Sequence, residues 1–165
     1  MTAPLYYSQM PSPIGTLTLL ASGRGLTGVF MEAHATILRD EWIADDAPFA
    51  EVRMQLDSYF AGRLRTFDLA LDWQQGTPFQ RRVWQALLEI PFGETISYGE
   101  QARRIGNPLG VRAVGLANGR NPFSIIVPCH RVIGKNGTLT GYGGGLERKR
   151  FLLDLEKSHL QAATA

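Results

Sequence analysis

The chain of 165 residues contains a single cysteine, Cys129, and its neighbours could give that thiol a chemical role. It stands in the run P-C-H-R-V, directly before His130 and Arg131. A thiol attacks as its thiolate, and a neighbouring imidazole or positive charge favours that form. The pattern therefore indicates a nucleophile, although most lone cysteines are small buried residues of a core.

A carboxylate on the last predicted helix could complete the site. Glu156 falls on the same helical stripe as Leu152, Leu153 and Leu160. A carboxylate that faces a core is costly unless it is paired, and His130 is the obvious partner. The two would form a Cys–His–Glu relay with the thiol. Periodicity alone equally allows Glu156 to face solvent at the edge of the stripe.

Three helices are predicted between residue 75 and the cysteine. Thr77 and Pro78 are typical of a helix start, and the buried stripe of that helix is Val83, Trp84, Leu87 and Leu88. Ser97 and Glu100 have the spacing of a capping box and open a short helix that stops at Gly106-Asn107-Pro108. A further short helix runs from about Val111 to Asn118. This pair indicates a helix-turn-helix, but many helical hairpins bind nothing.

Small residues dominate the second short helix: Ala113, Gly115, Ala117 and Gly119. Glycine destabilises a helix by about 1 kcal/mol relative to alanine. Its presence therefore indicates that another molecule, or the protein's own core, packs close to the helix backbone. Arg112 fits better as a group that reaches outward into nucleic acid. A thin helix of this kind could enter a narrow groove. After it, Ile125 to Val127 is predicted to be a buried strand ended by Pro128.

The first half of the chain has a different sequence pattern. Between Leu5 and Met31 short apolar runs alternate with turn residues, which predicts an antiparallel meander of three strands. Pro48 then opens a helix that Gly62 ends, and Leu69 to Trp73 could be one more strand. The expected fold is α/β. A small N-terminal sheet-plus-helix domain, residues 1–74, packs on a mostly helical domain, residues 75–165, with a winged helix-turn-helix-like motif.

Charge and composition limit the function classes. Residues 1–74 carry five basic and nine acidic side chains, whereas residues 75–165 carry twelve basic and six acidic ones. The basic second half could bind polyanions such as nucleic acid. The alternative is that it only presents a solvated basic surface. The chain has no signal-peptide pattern and no membrane-spanning run, so we expect a cytoplasmic protein without membrane contact. One cysteine and scattered histidines predict no metal site and no disulfide.

The motif P-C-H-R-V is preceded by R-A-V-G and N-P and followed by G-Y-G-G-G and L-L-x-L-E. In this setting, over residues 76–157, the chain closely resembles the O6-alkylguanine-DNA alkyltransferases, the methylated-DNA–protein-cysteine methyltransferases. S-P-I-G-T-L-T-L and Y-F-A-G resemble bacterial members. The resemblance implies DNA repair by irreversible, single-use transfer of an alkyl group from O6 of guanine in duplex DNA, with nucleotide flipping and no cofactor. Transfer from O4 of alkylated thymine is left open as a second reaction.

The resemblance also implies roles for individual residues in catalysis. Cys129 would accept the alkyl group, His130 would act as a water-mediated base and Glu156 would orient that histidine. Asn121 would hold the active-site turn. Tyr98 would help to rotate the nucleotide and would donate a proton to guanine N3.

DNA contacts and a base pocket follow from the same resemblance. Arg112 would fill the space that the flipped base leaves. The other DNA-binding residues would be Tyr98, Asn107, Ala113, Gly115 and Lys135. The base pocket would be formed by Val132, Tyr142, Gly143, Gly144 and Lys149, with the Gly143 amide facing O6.

The chain departs from some relatives in two respects. It lacks the cysteines that hold a structural zinc in their N-terminal domain, so zinc does not carry over. Gly143 stands where some relatives have serine, so we hypothesise a more mobile loop that admits alkyl groups larger than methyl. The protein is expected to be a monomer that can assemble cooperatively on DNA.

Three other interpretations remain open on the sequence. A cysteine hydrolase would use the same three groups but would turn over. A helix-turn-helix regulator would select sequences in undamaged DNA. A lesion sensor of the same fold would bind without repair, although such proteins replace the cysteine.

Overall fold

The computed structural model describes residues 3–32, 38–139, 141–142 and 144–163. The chain divides into two compact units, Met1–Gln74 and Gln75–Ala165. Among the described residues, no helix is both long enough and apolar enough to cross a membrane.

The N-terminal unit is built on a four-stranded sheet. Its strands are β1 (Tyr6–Met10), β2 (Leu17–Ser22), β3 (Gly25–Phe30) and β4 (Ile43–Ala44), in the order β3-β2-β1-β4. The pairings of β1 with β2 and of β2 with β3 are antiparallel, which confirms the predicted meander. The short β4 lies parallel to β1 and makes the sheet mixed.

Helix α1 (Ala50–Phe60) follows a 3-10 turn, Ala47–Phe49, and buries Val52, Leu56 and Tyr59 as its periodicity predicts. The strand expected at Leu69 to Trp73 is wrong.

Only one residue of that segment pairs, in an isolated bridge between Leu71 and Leu26. The backbone of Asp68, just before it, bonds to the side-chain amide of Gln55 instead of a strand. Within the segment, the Ala70 carbonyl and the Asp72 amide bond to the backbone of Leu26, so its pairing is limited to that one bridge.

The C-terminal unit is mostly helical, and two two-residue strands pair in parallel within it. Its elements are α2 (Pro78–Leu87), β5 (Ile96–Ser97), α3 (Tyr98–Arg104), α4 (Val111–Gly119), β6 (Val132–Ile133) and α5 (Leu146–Ala163).

Helix α2 starts with a complete capping box. The Thr77 hydroxyl accepts a hydrogen bond from the Gln80 amide at 3.1 Å, and the Gln80 side chain accepts one from the Thr77 amide at 3.0 Å. Trp84 and Leu87 are buried as predicted, but Leu88 is 48% exposed. The reason is that the helix ends at Leu87, so Leu88 leaves the stripe.

The start of α3 is capped from one side only. The Ser97 hydroxyl accepts from the Glu100 amide at 3.0 Å. The Glu100 carboxylate does not return to Ser97 and instead pairs with Arg103 and Arg104 on the same helix.

Helices α3 and α4 form the predicted helix-turn-helix and are joined by a buried pair of amides. Gln101 Nε2 donates to Asn118 Oδ1 at 2.9 Å, and Asn118 Nδ2 donates to Gln101 Oε1 at 2.7 Å. Trp84 of α2 adds a bond from its indole N–H to the Ala117 carbonyl at 2.7 Å. These contacts fix α4 against its two neighbours.

The segment before the cysteine is a turn, so the predicted strand at Ile125 to Val127 is wrong. Ile125 has a φ of 73°, which extended backbone does not adopt. The amide of Val127 donates back to the Phe123 carbonyl at 3.0 Å. All three apolar residues are buried as expected, but they cover a coiled turn and not a sheet.

Candidate active site

The side chain of Asn121 organises the turn that leads to the cysteine. Its Oδ1 accepts from the Phe123 amide at 2.9 Å, and its Nδ2 donates to the Val127 carbonyl at 2.8 Å. Asn121 is itself buried. One side chain therefore closes the turn at both ends and sets the direction in which the chain enters Cys129.

Cys129 begins a single 3-10 turn, Cys129–Arg131, and is 9% exposed. Burial raises the pKa of its thiol, while the Asn121 side chain and the charge of Lys149 oppose that rise. The thiol is thus protonated at rest, and an attack on a substrate needs a base.

His130 and Glu156 form a buried pair. His130 Nε2 lies 2.6 Å from Glu156 Oε2, and both residues have no exposed surface. Burial lowers the pKa of His130 although Glu156 opposes this effect. Its other nitrogen, Nδ1, is buried and has no hydrogen-bond partner among the described residues. The ring can therefore accept a proton at Nδ1.

Arg131 has a different place from the one its position in the sequence indicates. Its Nε and Nη2 donate to the two oxygens of Glu156 at 2.9 and 3.1 Å, and its Nη1 donates to the Ile90 carbonyl at 2.7 Å. The expectation that its charge would promote the thiolate is not met, because the guanidinium is committed to the carboxylate. Lys149 is the cation that lowers the pKa of Cys129.

Lys149 lies close to two tyrosines, Tyr98 and Tyr142. Lys149 is fully buried, and its Nζ donates to Tyr98 Oη at 3.5 Å. The same Nζ lies 5.6 Å from the Tyr98 ring centre and 5.9 Å from that of Tyr142. Burial lowers the pKa of Lys149 and raises that of Tyr142 well above its usual value.

Two other residues expected in the base pocket are also buried. Val132 and Gly144 are buried, and Val132 pairs with Ile96 in the short parallel sheet. A Cβ placed on Gly141 would lie 3.7 Å from Tyr98 Oη, so the loop approaches the tyrosine closely. Gly143 lies outside the described residues.

The expected DNA-binding residues are exposed or partly exposed, unlike the buried pair. Arg112 and Ala113 are exposed on α4, and Asn107 is partly exposed in the turn before that helix. Lys135 is exposed after β6.

Tyr98 belongs to both groups. A Cβ placed on Gly115 of α4 would lie 4.0 Å from the Tyr98 ring. The tyrosine also lines a cavity of about 530 Å³, together with Val111 and Lys135. The first residue of α3 therefore connects the exposed helix with Lys149.

Comparison with known proteins identifies the family. Residues 5–73 match the model of the 6-O-methylguanine DNA methyltransferase ribonuclease-like domain, and residues 78–158 match that of its DNA-binding domain. The chain is 56% identical over 159 residues to a methylated-DNA–protein-cysteine methyltransferase of Mycobacterium bovis, covering 96% of both chains. The chain belongs to the 6-O-methylguanine DNA methyltransferase family.

Two further relatives support this assignment to the methyltransferase family. The Methanosarcina acetivorans methylated-DNA–protein-cysteine methyltransferase is 54% identical over 156 residues, which are 93% of this chain and 99% of that one. Mycobacterium tuberculosis OGT, crystallised in complex with DNA, is 56% identical with a TM-score of 0.88 and covers 93% of this chain and 94% of that one. The predicted family, fold class and methyltransferase activity are thereby confirmed.

Three parts of this methyltransferase's site were missed by sequence reasoning. They are the fork of Arg131 on Glu156, the 3.1 Å bond from the Gly93 amide to the same carboxylate, and the amide pair between α3 and α4. Only Arg131 carried a signal, since it adjoins His130; nothing in the spacing connects Gly93 with Glu156. Among the described residues, no three potential ligands form a metal-binding group.

Proposed function

We propose that Cys129 takes the alkyl group from O6 of alkylated guanine in duplex DNA, in one irreversible displacement. The observation that carries this proposal is the buried His130–Glu156 pair beside the only thiol, with Nδ1 of the imidazole unpartnered among the described residues. A neutral base with a free lone pair is what a protonated thiol needs. No cofactor takes part, since the alkyl group is transferred from an ether to sulfur.

Each side of the displacement has its own proton path. On the nucleophile side, a water relays the thiol proton from Cys129 to His130 Nδ1, and Asn121 holds the turn. On the leaving side, Tyr98 donates a proton to guanine N3. Lys149, whose Nζ bonds to the Tyr98 oxygen, then stabilises the phenolate.

The base reaches the thiol by flipping out of the duplex. A thiol cannot attack a base inside the stack, so the nucleotide must enter a protein pocket. We assign that pocket to Tyr142, Gly143, Gly144, Val132 and Lys149. The thioether formed at sulfur does not revert, so each molecule acts once.

Helix α4 is the proposed groove-entering element. Arg112 is exposed there and would occupy the space that the flipped base leaves, while the small Ala113 and Gly115 allow close approach. Asn107 and Lys135 would bind the backbone without reading sequence, which suits a lesion that arises at any guanine.

The two units then divide the work. We assign DNA binding and alkyl transfer to residues 75–165, and a supporting role to residues 1–74. We further propose a protein of the cytoplasm that is monomeric when free and can assemble cooperatively along DNA.

The test is an intact-mass measurement after incubation with a short duplex that carries one O6-methylguanine. We expect a gain of one methyl group per protein, mapped to Cys129, and no second transfer when fresh lesion is added. The matched control is Cys129→Ser, which should bind the same duplex and gain no mass.

Other outcomes favour the rival classes. Binding of the lesion without any mass gain in the wild-type protein would indicate a lesion sensor. Sustained turnover of an ester or amide would indicate a cysteine hydrolase, and strong selectivity among undamaged sequences would indicate a regulator.

A further inference from the structure

Arg131 joins three segments of the C-terminal unit around one carboxylate. It belongs to the turn that begins with Cys129, it donates two bonds to Glu156 of α5, and it donates a third to the Ile90 carbonyl after α2. Its guanidinium also lies 5.8 Å from the ring centre of Phe92. Arg131 is only 6% exposed, so these contacts hold it in a dry site.

Glu156 is saturated by donors. Its Oε1 accepts from Arg131 Nε at 2.9 Å and from the Gly93 amide at 3.1 Å. Its Oε2 accepts from Arg131 Nη2 at 3.1 Å and lies 2.6 Å from His130 Nε2. A carboxylate offers about four acceptor positions, and all four are in use.

This arrangement determines the state of the imidazole. Because an ionised carboxylate only accepts, the hydrogen of His130 must sit on Nε2. The charge of Glu156 is already balanced by Arg131, so the carboxylate does not require a second cation. His130 can stay neutral, with its lone pair on Nδ1, in a site where an unbalanced carboxylate would favour the charged imidazolium.

We propose that Arg131 is a positioning residue for the alkyl transfer: it balances and orients Glu156 so that His130 remains a neutral base with its lone pair on Nδ1. This inference rests on the proposed function of Cys129. It assigns to Arg131 a task that the thiol itself does not reveal, since the guanidinium acts only through the carboxylate.

The charged and titratable groups around His130 support this assignment. Burial lowers the pKa of His130, Glu156 raises it, and Arg131 and Lys149 lower it. Cys129 precedes the imidazole in the same turn, and Tyr142 interacts electrostatically with both Cys129 and Glu156. Of the two cations that lower the pKa of the imidazole, Arg131 has the larger effect.

The proton balance of the transfer requires that state. The sulfur–carbon bond forms as the guanine O6–carbon bond breaks, and the thiol proton moves through water to His130 Nδ1. Guanine N3 takes the Tyr98 proton, and the proton on His130 later restores the phenol through solvent. An imidazole that is already charged could not accept the thiol proton.

The test compares two substitutions of the arginine in the full-length protein. Arg131→Gln keeps a hydrogen-bond donor and removes the charge, whereas Arg131→Lys keeps the charge and loses the fork. The measurement is the single-turnover rate of methyl transfer from an O6-methylguanine duplex at saturating DNA, from pH 5 to 8. Arg63→Gln, an exposed arginine of the other unit, controls for loss of one charge.

Loss of the charge should raise the pKa of His130, so the acid limb of the Arg131→Gln profile moves to higher pH by about one unit. Arg131→Lys should keep the limb in place and lower the rate about tenfold. The proposal is overturned if the transfer rate of Arg131→Gln falls at the same acid pH as that of the wild type. It is also overturned if Arg131→Lys shifts this pH as far as Arg131→Gln does. A wild-type protein that transfers no methyl group refutes the proposed function itself.

A measurement on the wild-type protein does not depend on how the variants fold. Nitrogen NMR of the labelled histidines, assigned with His34→Gln and His159→Gln, reports charge and tautomer directly. We expect His130 at pH 7 to be neutral with its hydrogen on Nε2. A charged ring, or a hydrogen on Nδ1, contradicts the role of Arg131.

Discussion

The buried cluster around Glu156 and the exposed face of α4 differ in how their polar groups are satisfied. Glu156 has four donors and no exposed surface, whereas Arg112 and Ala113 of α4 lie exposed. The carboxylate of the first region has all its acceptor positions filled within the protein, and only Nδ1 of His130 is left without a partner among the described residues, so the geometry is set before any substrate arrives. The second region offers surface to a partner, as a helix that binds DNA must.

The contrast has an energetic consequence. Removal of one group from the buried cluster leaves another buried charge without its partner, which costs stability as well as activity. Removal of an exposed side chain changes little in the folded protein and acts on binding. Mutations in the two regions should therefore separate stability from DNA recognition.

The largest effect is expected from Glu156→Ala. The change leaves Arg131 buried without a carboxylate and His130 without its Nε2 partner, so the free energy of unfolding should fall by about 3–5 kcal/mol. Denaturant unfolding measures this loss. Glu147→Ala, at an exposed position of the same helix, is the control and should stay within about 0.5 kcal/mol of the wild type. Equal stability of the two variants would contradict the contrast.

Arg112→Ala should show the opposite pattern. Its side chain is exposed, so unfolding should change by less than about 0.5 kcal/mol. If the side chain fills the space of the flipped base, the transfer rate should fall by an amount equal to about 1–3 kcal/mol, as for a lost stacking partner. The rate is measured by quenching the methyl-transfer reaction at successive times with limiting protein, and Arg63→Ala is the matched control. An unchanged rate would remove Arg112 from the mechanism.

The amide pair between α3 and α4 should behave as a buried unit. Asn118→Leu alone leaves the Gln101 amide unsatisfied and should lower the free energy of unfolding by about 1–3 kcal/mol. The double change Gln101→Leu with Asn118→Leu should restore much of this loss, because neither position then needs a partner. A double-mutant cycle by denaturant unfolding measures the coupling. Additive single effects would show that the two amides act independently.

The smallest effect is expected from mild acid. The pKa values of His130 and Glu156 are both below their usual ones in the folded state. Burial lowers the pKa of His130. At Glu156, the contacts with His130 and Arg131 lower the pKa by more than burial raises it. The unfolded state therefore binds protons first. Stability should fall below about pH 6.5 through His130 and again below about pH 4.3 through Glu156.

The free energy of unfolding between pH 7 and about pH 3 checks this sign. Glu156→Ala serves as the comparison, because it lacks the carboxylate and should lose the steeper part of the decline near pH 4. A wild-type protein that gains stability on acidification would refute both pKa directions.

Local signals accounted for several elements of the fold. The helix start at Thr77 and Pro78, the stop at Gly106-Asn107-Pro108 and the burial of Leu152 on α5 all depend on neighbours within a few residues, and all were predicted. Leu153 and Leu160 of the same stripe are only half-buried. Local signals failed where a side chain from elsewhere replaced the expected backbone partner. Asn121 did so at the Val127 carbonyl, in the segment Ile125 to Val127 where a strand was expected.

The chain sequence by itself determined the family, the lone thiol and the stripe that carries Glu156. It did so because motifs and helical periodicity are properties of residues close together along the chain. Only the tertiary structure decided which partners Glu156 has. Gly93, His130 and Arg131 reach it across 63, 26 and 25 positions. Such long-range contacts depend on how the turns and helices pack, and no spacing along the chain encodes them.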